Sequence, residues 1–335
     1  MIPFCKTDLG EEEIKAVADC IRSGWVVMGP KTQEFEEEFA KYVGSQYAVF
    51  VDSGTSALFL AIKRLEKMGL KGNYITVPSL TFTSTAEVCI NAGWKVRFGD
   101  VGDDFCLKTV NSATLPVHLT GNRAKNGALI YDSAHRIEKD DVKDSSALWC
   151  YSFYATKNLT TVQGGMIATN NIYDYEWLKK ARDHGLDMGT KERYVGKYKQ
   201  YDVQFVGYRV KGDDMRAVVG LEQLKKLPRL TERRNELVDR YNKGLGLDRK
   251  GNHVYPILVK DRELFTEFMF ENGIQTAVHF RPLHTMTAYK DVPTGTMTNT
   301  EYIGEHIVSL PLFPQLTNEE QDYIINKVLE TKLLI

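Results

Sequence analysis

Residues 147–169 read ALWCYSFYATKNLTTVQGGMIAT. Two apolar runs, 147–153 and 165–169, flank a polar turn that carries Lys157 and closes on Gly164-Gly165. Each run has the length and the β-branched and aromatic content of a buried strand. The pattern repeats upstream. Strand-like runs fall at 47–51, 73–78, 95–100, 115–119 and 127–132, and helical spacing fills intervals between them, as at Leu58, Ile62 and Leu65 and again from Ala86 onward. Strands alternating with helices predict an α/β fold: a mainly parallel, seven-stranded sheet covered by helices on both faces.

Downstream the pattern changes. Met215 to Leu227 reads as a helix that Pro228 interrupts, and a charged helix follows over about 231–244. Then come strand 253–259, helix 261–271, strand 275–280 and helices near 300–308 and 317–331, which suggest a smaller α+β domain. The expected division is 1–235 and 236–335, with the first residues, about 1–15, packing on the small domain.

Composition excludes more than it identifies. The chain of 335 residues carries 43 Lys+Arg against 44 Asp+Glu, a net charge of −1, which argues against a nucleic-acid or anionic-membrane partner. Its five cysteines (Cys5, Cys20, Cys89, Cys106, Cys150) are scattered without a C-x-x-C pair, so neither a disulfide framework nor a metal knuckle is expected. The longest apolar run, Ala57 to Ile62, is far short of the roughly 20 residues of a membrane span, and no secretory leader is visible. A cytoplasmic protein is the expectation.

In open α/β sheets ligands sit at the carboxyl ends of strands. Asp52-Ser53-Gly54-Thr55-Ser56 leaves one strand and opens a helix, either as an anion cradle or as an ordinary helix cap. Phe82, in PSLTFTST, is either core or a stacking platform for a flat ring. Asp132, in YDSAHR, is either a functional carboxylate or a turn residue, and His135 lies three positions on. Lys157 is either solvated or a partly desolvated nucleophile. Taken together, the four match one cofactor. Pyridoxal phosphate needs a Schiff-base lysine, an acid for its ring nitrogen and a phosphate site.

The motifs SGWVVMGPKTQEFEEEF (23–39), DSGTSAL (52–58), PSLTFTST (78–85), YDSAH (131–135), SFYATKNLTT (152–161) with GG (164–165), VGYRVKGDDMRAVVGLEQL (206–224), VHFRPLH (278–284) and SLPLFP (309–314) are collinear with one family. The chain resembles the DegT/StrS-like sugar aminotransferases, which have the fold-type-I pyridoxal-phosphate transferase architecture. The resemblance implies that Lys157 forms the Schiff base with pyridoxal 5'-phosphate, that Asp132 pairs with the ring nitrogen and that Phe82 stacks on the ring. It implies phosphate contacts from Gly54, Thr55, Ser56 and Ser152, with His135 near the ring hydroxyl. Trp25, Met28, His279, Arg281 and His284 match regions that line the family's substrate pocket, in part from a partner subunit. The implied reaction moves an amino group, from L-glutamate, through pyridoxamine 5'-phosphate to a nucleoside-diphosphate keto-sugar such as a 4-keto-6-deoxyhexose, in a homodimer with shared sites. The alternatives are a sugar dehydratase, an aminotransferase for a 3-keto sugar or a cyclitol, and a non-catalytic cofactor-binding regulator.

Two departures from the family pattern stand out. The family's G-Y-N-Y-R-M is Gly207-Tyr208-Arg209-Val210-Lys211-Gly212 here, so that Arg209 either reaches a phosphate with a charged fork or points into solvent. The stretch 101–126 is short for the family, so that a helix packed on the sheet is expected to be missing.

Overall fold

In the computed structural model, residues 1–72, 74–189, 192–193, 197 and 199–335 are described. Helices α1 (Glu11–Arg22) and α2 (Pro30–Val43) lead the chain. Pro30 opens α2, where its missing N–H costs nothing, and the left-handed Gly44 closes it. β1 (Tyr47–Val51), α3 (Gly54–Lys67), β2 (Ile75–Pro78), α4 (Ser84–Asn91) and β3 (Val96–Gly99) then alternate. β4 (Ile130–Asp132), β5 (Leu148–Ser152), β6 (Gly165–Thr169), α5 (Ile172–Ala181) and the long α6 (Asp214–Leu245) follow. The chain ends with β7 (Tyr255–Leu258), α7 (Arg262–Glu271), α8 (Thr298–His306), β8 (Ile307–Leu310) and α9 (Asn318–Thr331).

β2 and β3 pair in parallel, as do β4 and β5, while β6 runs antiparallel between β1 and β5. Residues 113–118 join the two groups of strands. On one side Thr76 N–H donates to Ala113 C=O and Leu115 N–H to Thr76 C=O, both at 2.9 Å. On the other, His118 N–H donates to Asp132 C=O at 2.9 Å and Asp132 N–H to Pro116 C=O at 3.0 Å. The order across the sheet is therefore β1, β6, β5, β4, segment 113–118, β2, β3. The expected seven-stranded, mostly parallel sheet is present, with β6 as its reversed member.

Side-chain alternation explains why helices must cover both faces. Val49, Val51, Ile130, Leu148, Cys150 and Ile167 face the core under α3 and α4. Their neighbours Ala48, Phe50, Tyr131, Trp149, Tyr151 and Met166 face a second core with Phe35 and Phe39 of α2 and Leu221 and Leu227 of α6. A buried ion pair between Arg182 and Glu36 binds these layers. Glu36 accepts from Phe50 N–H at 2.7 Å, and Arg182 donates to Phe50 C=O at 2.6 Å.

Two local expectations are corrected. Pro228 does not divide two helices, because α6 runs through it as one helix. Leu227 and Leu230, on either side of the proline, are both buried, and packing along the whole face outweighs the backbone bond that Pro228 forfeits. The strand expected over 275–280 is reduced to one bridge, Ala277 to Ser309, on the edge of β8 away from β7. Residues 101–126 hold no α-helix, only the turn Leu119–Gly121 and the joining segment.

A further core gathers Leu237, Tyr241, Tyr255, Ile257, Phe265, Ile324 and their neighbours around β7, β8, α7 and α9. The first residues join it: Ile2 N–H donates to Gly273 C=O at 2.7 Å, and Phe4 stacks on His279 at 5.3 Å. Among the described residues, no helix is long and apolar enough to cross a membrane.

Gly220 marks the closest approach of α6 to α2, for a Cβ placed there meets the Phe35 ring at 2.5 Å. Gly220→Ala is expected to destabilise the fold by about 1–3 kcal/mol, read as a lower denaturation midpoint at unchanged m-value.

Candidate active site

β4 ends at Asp132, β5 ends at Ser152 and β6 begins at Gly165, so the turn holding Lys157 sits over the carboxyl ends of the central strands. A cavity of about 240 Å3 opens there, lined among others by Phe82, Asp132, His135, Lys157, His279 and Phe280. Asp132 is 3% exposed and accepts from Thr85 Oγ1 at 2.8 Å and Ala134 N–H at 3.1 Å. Burial raises its acid range, against the pull of those two donors and of Lys157. The Lys157 side chain is half-buried at the edge of the cavity space. Desolvation lowers its amine to about 8 despite the opposing attraction of Asp132. Both groups are thus pushed toward their neutral forms, an arrangement suited to an amine that must act as nucleophile and base.

The cavity walls are imidazoles and aromatic rings. His135 and His253 lie with ring centroids 4.2 Å apart, and Phe82 and Phe280 face each other at 6.1 Å. Burial and the nearby Lys157 hold His279 down to about 4, and they also push His135 well below the usual imidazole range. These walls are neutral near pH 7.

Gly54 lies against Ser152: a Cβ on Gly54 would meet that of Ser152 at 2.7 Å, so any larger residue would part α3 from β5. Ser53 caps α3 by accepting from Ser56 N–H at 3.1 Å. The N–H groups of Gly54 and Thr55 find no partner among the described residues, and the Thr55, Ser56 and Ser152 hydroxyls are at least partly accessible. These groups form a ready anion site beside the cavity.

The structure therefore brings Phe82, Asp132, His135, Lys157 and His279 to one cavity, with Gly54, Thr55, Ser56 and Ser152 at an adjoining helix start. It does not bring the other candidates there within one chain. Met28 lines a separate cavity of about 550 Å3 beside α5, and the Trp25 indole packs on Gly29. Arg209 is exposed on a bridge to Asp183, and Lys211 pairs with Asp183 at 2.9 Å. Arg281 is exposed, while His284 is tied through Nδ1 to Ser79 Oγ at 2.7 Å. Sequence reading missed His253, Phe280 and Tyr154. Tyr154 was within reach, three residues before the lysine. His253 was not, because long-range contacts carry it into the site, among them the bond from its backbone N–H to Thr120 C=O at 2.9 Å.

An amine held at about 8 instead of 10.5 binds fewer protons folded than unfolded, so it costs stability at neutral pH. That cost is relieved as pH rises from about 8 toward 10.5. In the cofactor-free protein, Lys157→Met is therefore expected to be more stable than the parent at pH 7, by on the order of 3 kcal/mol. The gap should narrow above pH 8, as followed by denaturant midpoints across pH.

A model of the DegT/DnrJ/EryC1/StrS aminotransferase family matches residues 7–329. Among solved structures, Spr1654 from Streptococcus pneumoniae, described as a sugar aminotransferase in its PMP-form, is 27% identical with a TM-score of 0.86, over 99% of this chain and 100% of that one. An aminotransferase of the family from Brucella abortus is 27% identical with a TM-score of 0.84, over 96% and 95% of the two chains. S. venezuelae DesV, in complex with a ketimine intermediate, is 25% identical with a TM-score of 0.86, over 98% of each. The chain belongs to the DegT/DnrJ/EryC1/StrS aminotransferase family.

Proposed function

We propose that this aminotransferase uses pyridoxal 5'-phosphate to move an amino group from L-glutamate to a nucleoside-diphosphate keto-sugar, a 4-keto-6-deoxyhexose, giving an amino sugar nucleotide. The observation that carries the reading is one cavity holding both a half-buried, desolvated lysine and a buried carboxylate, beside an unpartnered helix start.

The residues present fit that cofactor. Asp132 has only two hydrogen-bond donors and gains from a protonated ring nitrogen, whose charge would offset its burial. Lys157 is the amine that would hold the cofactor by its carbonyl carbon, and the Gly54 and Thr55 N–H groups with the Thr55, Ser56 and Ser152 hydroxyls would hold the phosphate. Phe82, 57% exposed, would cover one ring face, and His135 would donate to the ring oxygen. When bound, the cofactor supplies an electron sink for charge at the carbon bearing the transferred nitrogen. Asp132 would keep the ring nitrogen protonated. Lys157 Nζ, once free, takes a proton from the donor's Cα and later returns one to the sugar carbon.

The substrate's phosphates call for donors beyond the helix start, and the exposed Arg281 is suited to a diphosphate. Trp25, Met28, His279 and His284 complete the sugar pocket in this reading, with Arg209 reaching the cofactor phosphate across a homodimer. Exposed apolar groups near these segments, Val26, Val27, Val162 and Val206, fit a surface covered by a partner subunit. We assign 1–235 and 236–335 as large and small domains, spanned by α6, in a cytoplasmic enzyme.

Added pyridoxal phosphate is expected to give a visible band that Lys157→Ala removes, with turnover falling at least about a thousandfold. L-Glutamate should bleach that band, and the pyridoxamine form should then aminate nucleotide keto-sugars, the products being identified by mass. A protein that forms no visible band overturns the cofactor assignment. Turnover of cyclitol or non-sugar ketones alone overturns the substrate.

A further inference from the structure

His253 belongs to no motif above, yet it is 6% exposed, lines the cavity and lies tilted against His135 with ring centroids 4.2 Å apart. Its hydrogen bonds continue to a carboxylate outside the site. Glu138 Oε1 accepts from Asn252 Nδ2 at 3.1 Å, which orients the Asn252 amide. The same nitrogen also donates to Asn235 Oδ1 at 2.9 Å. Asn252 Oδ1 then faces Asn158 and accepts from its Nδ2 at 3.2 Å. Asn158 Oδ1 is left to face His253 Nδ1 at 2.9 Å. An amide oxygen cannot donate, so Nδ1 of His253 carries the proton and Nε2 is bare. His135 has the opposite form, because its Nδ1 accepts from Thr120 N–H at 3.3 Å and a neutral ring must then carry its proton on Nε2.

We infer that His253 is a positioning residue for His135: the chain from Glu138 through Asn252 and Asn158 fixes its tautomer and its ring, so that the cavity wall presents one imidazole N–H, from His135, beside one bare imidazole nitrogen. Thr120 clamps the pair. It lies in the left-handed region at φ 62°, an uncommon place for a β-branched residue, with its N–H donating to His135 Nδ1 and its C=O accepting from the backbone N–H of His253. What the two nitrogens do in turnover rests on the cofactor assignment above; the tautomers do not. The titratable and charged groups facing His253 are His135, Lys157, Arg234 and His279, and all of them disfavour a second proton on its ring. His253 thus remains a neutral acceptor, and His135 is left as the donor of the pair.

The test is nitrogen-15 NMR of cofactor-free protein labelled in its histidine rings. His135 should appear as the Nε2–H form and His253 as the Nδ1–H form near pH 7. Asn158→Leu should release His253 to mixed tautomers, whereas Asn158→Asp, which keeps an acceptor oxygen, should retain the Nδ1–H form. With cofactor bound, Asn158→Leu should shift the pH at which the visible band changes and lower kcat about tenfold, with KM for the amino donor nearly unchanged. Asn158→Asp should restore most of kcat. Should Asn158→Leu fail to fold, Glu138→Met, at the half-buried far end of the chain, should convert part of the His253 population.

An Nε2–H or doubly protonated His253 in the parent protein overturns the inference. So do tautomers that do not respond to either Asn158→Leu or Glu138→Met. Correct tautomers in a protein that forms no visible band would uphold the hydrogen-bonded chain and reject the cofactor assignment instead.

Discussion

The site depends on four backbone hydrogen bonds made by residues 113–118. They join a pair of strands at one side of the sheet to a set of four at the other, placing Phe82, which follows β2, opposite Asp132, which ends β4. Each such bond contributes only about 1 kcal/mol net, so apolar burial must hold the segment in place. Leu115 is fully enclosed and Val117 is 3% exposed, which supplies it. The segment also delivers Thr120, whose N–H bonds the His135 ring and whose C=O holds the His253 backbone. A short extended run thus sets both the continuity of the sheet and the wall of the cavity.

Because this sheet is apolar on both faces, chemistry is confined to its edge, where strands end. The cavity lies where those ends meet residues carried by the C-terminal elements: His253 before β7, and His279 and Phe280 before the loop that Ser79 and His284 pin together. The ties are varied in kind. Backbone bonds join Ser79 to Leu283, ring contacts join Phe82 to Phe280, and side-chain amides join Asn158 to Asn252. Enclosure by two parts of the chain is what removes water from Lys157 and Asp132.

That enclosure is unfavourable in itself. Burial shifts both the amine and the carboxyl toward neutrality, and their mutual attraction does not fully restore the charges. The same desolvation leaves the lysine amine easier to deprotonate near neutral pH, which suits the role proposed for it. Stability and chemistry are therefore set against each other at Lys157, and the surrounding core carries the cost.

Seven strand-like runs, their alternation with helices and the polar residues ending them were all readable along the chain, because burial on two faces leaves a local apolar signature. Lys157, Asp132, Phe82 and Gly54 could be singled out for the same reason: each stands where an apolar run stops. The unbroken α6 was not readable, since Pro228 signals a stop locally and only packing on both sides overrides it. Nor were Trp25, Met28, Arg209 and Arg281 separable from the cavity, because short-range sequence does not say which way an exposed loop turns. His253 lies 96 positions from Lys157 in the chain, and its role is set by amide orientations relayed from Glu138. By itself the sequence determined the layered sheet and the chemical types at its strand ends, through local hydrophobic pattern. Tertiary structure alone decided which distant side chains close the cavity and which imidazole nitrogen holds its proton, since both follow from contacts made only after the chain has folded.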